Sequence, residues 1–338
     1  MPTRREFESA LLPAGLVLLT SACGTRAATA SLTRKKFEAA YLGLERTGEL
    51  ANREQVLKAI YRECRLCPRQ CGANRTRGEK GVCRSTDRAK VYSTHPHFGE
   101  EPPLTGRKGS GTVFFSNCSL LCVYCQNWEI AHRGDGRFVS DETLGRLMVD
   151  LQQQGCHNIN LVTPTHIVPN IVGGLRHAIA RGLRIPLVYN CGGYEPVEVI
   201  RLLDGIVDIY LPDFKYTDGA MAAKYSTDAK DYPEVASAAI VEMHRQVGEL
   251  VTDEQEIALR GLMIRHLVLP ENIAGTDRFV RFVAGRLSRS TYVNIMAQYR
   301  PEHRARRYPE LSRRITREEY RQALRWAGEA GLTNVATA

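Results

Sequence analysis

The sequence predicts an α/β fold in which six strand–helix units form an open, partial (βα)6 barrel. Six short apolar runs, rich in β-branched and aromatic residues, recur between residues 112 and 297. Stretches long enough for a helix separate them, and this alternation is typical of a parallel sheet with helices outside it. Six units are too few to close an eight-stranded barrel, so we expect the sheet to stay open.

Local patterns assign the strands and two of the helices. The first predicted strand, 112–116, reads Thr-Val-Phe-Phe-Ser, and the other five span 158–163, 185–190, 206–211, 262–269 and 291–297. Ser140 is placed to cap a helix whose apolar residues recur at helical spacing until Gly155. Thr316 and Glu319 form the capping-box pattern of a final helix.

These patterns divide the chain into five segments. Residues 1–30 read as an export signal or a disordered leader, and residues 31–60 read as helical. A cysteine-rich metal-binding cap is expected over 61–105, the partial barrel over 106–300, and a basic loop with the final helix over 301–338.

The leader resembles a twin-arginine export signal. Arg4 and Arg5 precede an apolar stretch over 11–22, and small residues of the kind found at cleavage sites follow at 28–30. The apolar stretch is shorter than the roughly 20 residues that a spanning helix needs. We therefore expect no membrane span.

Composition and charge narrow the classes of function. With 43% hydrophobic and 25% charged residues, the chain has the composition of a folded protein. Its net charge of +9 would suit a nucleic-acid surface, but no nucleic-acid-binding motif accompanies it, so we do not expect that partner. The basic run from Arg300 to Arg307 reads as a charged surface loop, with an anionic substrate group as the other interpretation.

Seven of the ten cysteines fall in two tight clusters, which favours metal binding over disulfides. Cys118, Cys122 and Cys125 follow directly after the first predicted strand, on the side where barrel enzymes carry their chemistry. A [4Fe–4S] cluster normally takes four cysteines, so a local set of three leaves one iron open. A closed zinc or electron-transfer site, with Cys156 or Cys191 as the fourth ligand, is the alternative.

The triplet resembles the hallmark motif of the radical S-adenosylmethionine (SAM) superfamily, in which three and then two residues separate the cysteines. Tyr124 holds the aromatic position just before the last cysteine. The resemblance extends to about residue 300 and looks closest to uncharacterised relatives of pyruvate formate-lyase activating enzyme. It implies that Cys118, Cys122 and Cys125 hold a [4Fe–4S] cluster, that the open iron binds SAM, and that Tyr124 contacts the SAM adenine.

The resemblance also implies further SAM contacts at predicted strand ends. Asn190 matches a ribose contact, Asp213 and Lys215 match a segment that lines the SAM pocket, and Arg265 matches an arginine that reaches SAM. Ordinary polar packing at strand ends is the other interpretation of these four residues. The glycine-rich motif of the family is replaced by the segment from Thr163 to His166, which departs from the usual way of holding the SAM amino group.

The second cysteine cluster precedes the barrel. Cys64, Cys67, Cys71 and Cys83 fall within twenty residues, and four thiolates satisfy either tetrahedral zinc or an iron–sulfur cluster. The sequence leaves the metal open, and disulfide pairing is the remaining interpretation.

We expect from this resemblance a radical SAM enzyme that takes a hydrogen atom from an unidentified substrate, with a glycyl-radical-type partner enzyme as one option. A low-potential electron donor of the flavodoxin or ferredoxin type is the expected partner. Because SAM and low-potential electrons are available in the cytoplasm, we expect a cytoplasmic protein, with export as the alternative localisation. A non-catalytic iron–sulfur carrier or a zinc-stabilised binding module is the alternative function.

Overall fold

The computed structural model describes Arg34 and residues 37–337. The predicted export signal, with Arg4 and Arg5, lies outside the described residues. Ten α-helices occur in the described part of the chain: α1 (Tyr41–Arg46), α2 (Glu49–Ala59), α3 (Pro102–Thr105), α4 (Asp141–Gln153), α5 (Val168–Ala180), α6 (Val197–Leu202), α7 (Gly219–Tyr225), α8 (Tyr232–Val247), α9 (Thr276–Arg286) and α10 (Arg317–Glu329).

Ten strands are present in the same residues: β1 (Ala89–His97), β2 (Ser110–Phe115), β3 (Arg137–Val139), β4 (Ile159–Val162), β5 (Leu187–Cys191), β6 (Ile209–Pro212), β7 (Val251–Thr252), β8 (Ala258–Leu267), β9 (Tyr292–Met296) and β10 (Val335–Thr337). The six predicted strands correspond to β2, β4, β5, β6, β8 and β9. Their order confirms an α/β fold with a mostly parallel central sheet.

The strands form one sheet in the order β10-β9-β8-β6-β5-β4-β2-β1-β3, with β7 paired to β8. From β2 to β10 every neighbouring pair on this path is parallel. Two antiparallel strands, β1 and β3, extend the sheet beyond β2. The carboxyl ends of the parallel strands therefore share one edge, which is where strand-end side chains meet.

The sheet contains more strands than the six that the sequence predicts. β10 pairs with β9 and adds a seventh parallel strand. β1 lies inside the stretch predicted as a cysteine-rich cap, yet it pairs with β2 over six residue pairs. Its Pro96, two histidines and partly exposed side chains lack the apolar run by which a buried strand is recognised.

The first described helices differ from the single helical segment predicted over 31–60. Gly48 takes a left-handed conformation with φ of 78° and separates α1 from α2. Leu50 and Leu57 of α2 are buried, so the second helix packs its apolar side chains on the rest of the protein.

Close packing of α4 against α5 depends on glycine. A Cβ atom built on Gly145 would lie 2.5 Å from the carbonyl oxygen of Gly174, which is closer than real side chains allow. Ser140 begins α4 as predicted, since its side chain accepts a hydrogen bond from the Thr143 amide. No helix among the described residues is long and apolar enough to cross a membrane.

Candidate active site

The cysteine loop, residues 117–126, leaves the carboxyl end of β2. Asn117 and Leu121 have positive φ angles of 77° and 48°, so the backbone turns sharply at both positions. The Asn117 amide donates to the carbonyl of Ile130 at 2.9 Å and closes the loop onto a π-helical turn, Glu129–Arg133. Such turns are frequent at functional sites.

One cavity of ≈ 270 Å³ collects all the side chains that the sequence assigns to the radical chemistry. The cysteine loop contributes Cys118, Cys122, Tyr124 and Cys125, and the strand ends contribute Asn190, Asp213, Lys215 and Arg265. All three cysteines are free thiols. Residues from β5, β6 and β8 therefore meet the cysteine loop at one edge of the sheet.

The strand-end residues form a charged network. Arg265 donates from Nε to Asp213 Oδ1 at 2.8 Å and from Nη2 to Asn190 Oδ1 at 2.6 Å. Lys215 Nζ donates to Asp213 Oδ2 at 2.6 Å. Burial acts to raise the pKa of the Asp213 carboxyl, but Arg265 and Lys215 outweigh it and hold that pKa below its usual range. Asp213 is therefore an ionised carboxylate between two cations.

Glu100, which the sequence left unassigned, completes this network from the loop before α3. Its Oε2 accepts from Arg265 Nη1 at 3.1 Å, and its Oε1 accepts from Asn190 Nδ2 at 3.5 Å. Burial raises the pKa of the Glu100 carboxyl, and the attraction of Arg265 opposes that rise. Two adjacent glutamates before a proline pair are the only sequence signal at this position, and nothing links them to β8.

Tyr124 is buried beside the cysteines. Its ring packs edge-on against Tyr216 at 6.3 Å and against Tyr299 at 6.0 Å between ring centroids. Both contacts have the edge-on geometry that aromatic pairs favour, and they pack Tyr124 into the wall of the cavity.

The thiols of the triplet lie near one another and near a cation. Burial raises the pKa of Cys125 to about 12, with further increases from Cys122 and Cys118, while Lys215 opposes the shift. Burial likewise raises the pKa of Cys118. Ser226 donates its hydroxyl to Cys122 Sγ at 2.9 Å. Burial thus disfavours the thiolate form of Cys118 and Cys125.

The segment that replaces the glycine-rich motif separates into two parts. Thr163 has a φ of 61° and lines the cavity. His166 is buried, and its Nε2 lies 2.8 Å from the carbonyl oxygen of Ser116. Burial lowers the pKa of His166 to about 3, so this imidazole is a neutral packing residue.

The cysteine-rich segment, residues 61–88, lies beside the cysteine loop. Cys64, Cys67 and Cys83 are buried, Cys71 is exposed, and none of the four lines the cavity. Burial raises the pKa of Cys67 to about 12, with increases from Cys83 and Cys64. Burial, Cys64 and Cys83 also raise the pKa of Cys71, so the four cysteines are grouped together away from the cavity.

The two cysteines outside the clusters differ in position. Cys191 lines the cavity at the end of β5, whereas Cys156 is buried before β4 and does not line it. In the described part of the chain, no three His, Cys, Asp or Glu side chains surround a position for a single metal ion.

Comparison with known proteins relates this site to a family. A family model described as the radical SAM superfamily matches residues 112–225, which contain the cysteine loop and the first four parallel strands. An uncharacterised protein of Methanocaldococcus jannaschii is 32% identical to this chain over 288 residues, which are 82% of this chain and 78% of that protein.

Proposed function

The chain belongs to the radical SAM superfamily, and from this premise we propose that it is an enzyme that cleaves SAM at Cys118, Cys122 and Cys125. Members of the superfamily normally bind a [4Fe–4S] cluster and SAM. The observation that carries the proposal is that the three cysteines and the five implied SAM contacts line one cavity.

The donor set fits these groups. Three thiols satisfy three irons of a cluster and leave the fourth open. The cavity also holds two cations and a carboxylate, which complement the carboxylate and ammonium of an amino acid. When bound, the cluster supplies the electron that splits SAM into methionine and a 5′-deoxyadenosyl radical.

The protein's own residues bind and orient. Lys215 and Arg265 present positive charge to the SAM carboxylate, and Asp213 holds both side chains in place through bonds of 2.6 and 2.8 Å. Tyr124 provides an aromatic surface for the adenine, and Asn190 provides an amide for the ribose. The buried walls exclude water from the reacting atoms.

The substrate and the electron donor form a finer part of the proposal. We propose that the chain is a relative of pyruvate formate-lyase activating enzyme, which favours a glycine of a partner enzyme as the source of the hydrogen atom. Another protein side chain and a small molecule are the alternative substrates. The basic run, residues 300–307, lies beside the cysteine loop, because its Arg304 amide donates to the Val123 carbonyl at 2.8 Å. Positive charge at this place supports an acidic electron donor of the flavodoxin or ferredoxin type.

Anaerobic reconstitution with iron and sulfide, followed by reduction in the presence of SAM, tests the proposal. We expect release of 5′-deoxyadenosine and methionine from the wild-type chain and from Cys156→Ala, whose cysteine lies outside both clusters. The Cys125→Ala variant should release neither. A stable oxidised–reduced couple without SAM cleavage would instead identify an electron carrier, and zinc without iron would identify a binding module.

A further inference from the structure

We propose that Cys64, Cys67, Cys71 and Cys83 bind a second metal centre, an anionic tetrathiolate whose charge is balanced by the buried guanidinium of Arg75. This proposal goes beyond SAM cleavage and does not depend on it. Among the described residues, no three His, Cys, Asp or Glu side chains surround a position for a single ion, so an iron–sulfur cluster, whose thiolates are spaced farther apart than those around one zinc, is the centre that fits.

The backbone brings the four cysteines together. The Cys64 amide donates to the Ala73 carbonyl at 3.1 Å, and the Gly72 amide returns a bond to the Cys64 carbonyl at 3.0 Å. The chain then turns back, because a Cβ atom on Gly81 would lie 2.3 Å from Cys71 Sγ. Glycine at this position lets the segment that carries Cys83 pass directly beside Cys71.

Arg75 is the second observation, and it is independent of the cysteine spacing. Its side chain is 1% exposed, and its Nη1 donates to the His166 carbonyl at 2.7 Å. Nε donates to the Thr86 carbonyl at 3.0 Å, and the guanidinium carbon lies 4.5 Å from the centre of the Tyr61 ring. These partners are neutral groups.

A buried cation requires a nearby negative charge, since an unpaired one is costly to remove from water. Among the residues that the structure describes, Arg75 forms no ion pair with a carboxylate. Its Nη1 lies 3.7 Å from Cys64 Sγ, and Cys83 is also among its near neighbours. Thiols become anionic when they bind a metal, so a metal centre here supplies the missing charge.

The position of this centre gives it a role in the active site. Arg69, between Cys67 and Cys71, donates to the Ser119 carbonyl at 3.1 Å and to the Ser226 carbonyl at 2.9 Å. After Cys83, Ser85 accepts from Asn117 Nδ2 at 3.0 Å. The second centre thus fixes two contacts that hold the cysteine loop on either side of Cys118.

Metal analysis of a full-length chain without the radical triplet tests the proposal. The Cys118→Ala/Cys122→Ala/Cys125→Ala variant should retain about four iron and four sulfide per chain. Adding Cys64→Ala and Cys71→Ala together should abolish that iron, because the two remaining thiolates are too few to hold the cluster. Adding Cys156→Ala instead should leave it unchanged.

Visible absorption of the reconstituted triple-alanine variant provides a second measurement, since sulfur-to-iron charge transfer reports the cluster directly. A triple-alanine variant that keeps its helical circular dichroism but holds no iron after reconstitution with iron and sulfide, or that binds only zinc, would overturn the proposal. Failure of SAM cleavage would appear separately, in the wild-type chain.

The charge-balancing role of Arg75 has its own readout. In the triple-alanine background, Arg75→Met should bind the metal about tenfold more weakly, as measured by competition with a chelator, whereas Arg75→Lys should recover part of the lost affinity. Equal metal affinity in all three chains would show that Arg75 does not balance the centre.

Discussion

Arg265 joins side chains that arise far apart in the sequence. It contacts Asp213, Asn190 and Glu100 within 3.1 Å, so its three guanidinium nitrogens bond two strand ends and one loop. Its planar fork makes this possible, and a lysine could not reproduce the geometry. The network therefore holds these side chains of the cavity in place, and under the proposed function SAM would exchange contacts with it on binding.

Replacing Lys215 by methionine tests the charge complementarity. Lys215→Met keeps the length of the side chain but removes its charge, so SAM affinity should fall about 10- to 100-fold while iron content stays constant. Equilibrium binding of SAM to the iron-loaded chain measures this. Lys230→Met, which alters a lysine with a side chain 74% exposed, is the matched control. Unchanged affinity in Lys215→Met would restrict Lys215 to supporting Asp213.

A buried carboxyl behind the cavity predicts pH dependence of stability. Glu195 accepts from Thr165 Oγ1 at 2.6 Å and from the Tyr189 hydroxyl at 3.0 Å. Burial raises the pKa of Glu195 from 4.5 to about 7, although these hydrogen bonds oppose the rise. The native state therefore binds more protons than the unfolded state between these two values.

This difference in bound protons means that the stability of the native state falls as pH rises. The stability contributed by neutral Glu195 is fully present below pH 4.5 and is lost as pH rises through about 7, with a total of about 3 kcal/mol. Burial also raises the pKa of Asp208 from 3.8 to about 7, so this carboxyl contributes a decline of its own. Glu195→Gln should therefore make the decline smaller by about 3 kcal/mol, as measured by denaturant unfolding between pH 5 and 8. Glu198→Gln, at an exposed position three residues later, should keep the full decline. A decline of equal size in Glu195→Gln and the wild-type chain would contradict the role of Glu195.

Sequence reasoning located the site residues because they follow predicted strands. Cys118 comes directly after β2, and Asp213 directly after β6, so parallel pairing places both at one edge. Glu100 was missed because it reaches the same edge from a loop, and no strand marks its position. The roles of these residues toward SAM stay predictions.

At the scale of elements, the sequence predicted correctly those features that depend on contacts between residues a few positions apart. The capping box of α10 is present, with the Thr316 side chain accepting from the Glu319 amide at 3.1 Å. β10 and β3, three residues each, were missed because strands of that length carry no periodic signal and depend on their neighbours for pairing.

Removing the cap should destabilise the protein by a small, defined amount. Thr316→Ala leaves the Glu319 amide without its partner, and the free energy of unfolding should fall by about 1 kcal/mol. Thr316→Ser retains a hydroxyl in the same place and should lie close to wild type. Denaturant titration of the three chains measures the difference, and an equal loss in the serine variant would argue against the cap as its cause.

At the scale of the whole molecule, the cysteine-rich segment is attached to the barrel through Arg69. Its guanidinium bonds carbonyls of Ser119 and Ser226 and lies 5.3 Å from the centre of the Tyr194 ring. These contacts connect the segment to three separate loops around the active site. The sequence could not reveal them, because Arg69 and Ser226 are 157 positions apart.

Arg69→Met should loosen this attachment. Two carbonyls lose a charged donor, which should lower the free energy of unfolding by about 2 kcal/mol and speed the loss of iron to a chelator. Arg65→Met, at an exposed arginine of the same segment, is the control. Chelator kinetics and unfolding measured on both variants distinguish the two positions, and identical behaviour would remove Arg69 from this role.

Val123 has a consequence for the order in which the protein matures. Its amide bonds the carbonyl of Tyr225 at 2.9 Å, and its carbonyl receives the amide of Arg304 at 2.8 Å. Both partners are synthesised long after the cysteines, and contacts between such distant positions form late because closing long loops costs entropy. Under the proposed function, we therefore expect iron loading at the triplet to follow folding of the polypeptide rather than to nucleate it.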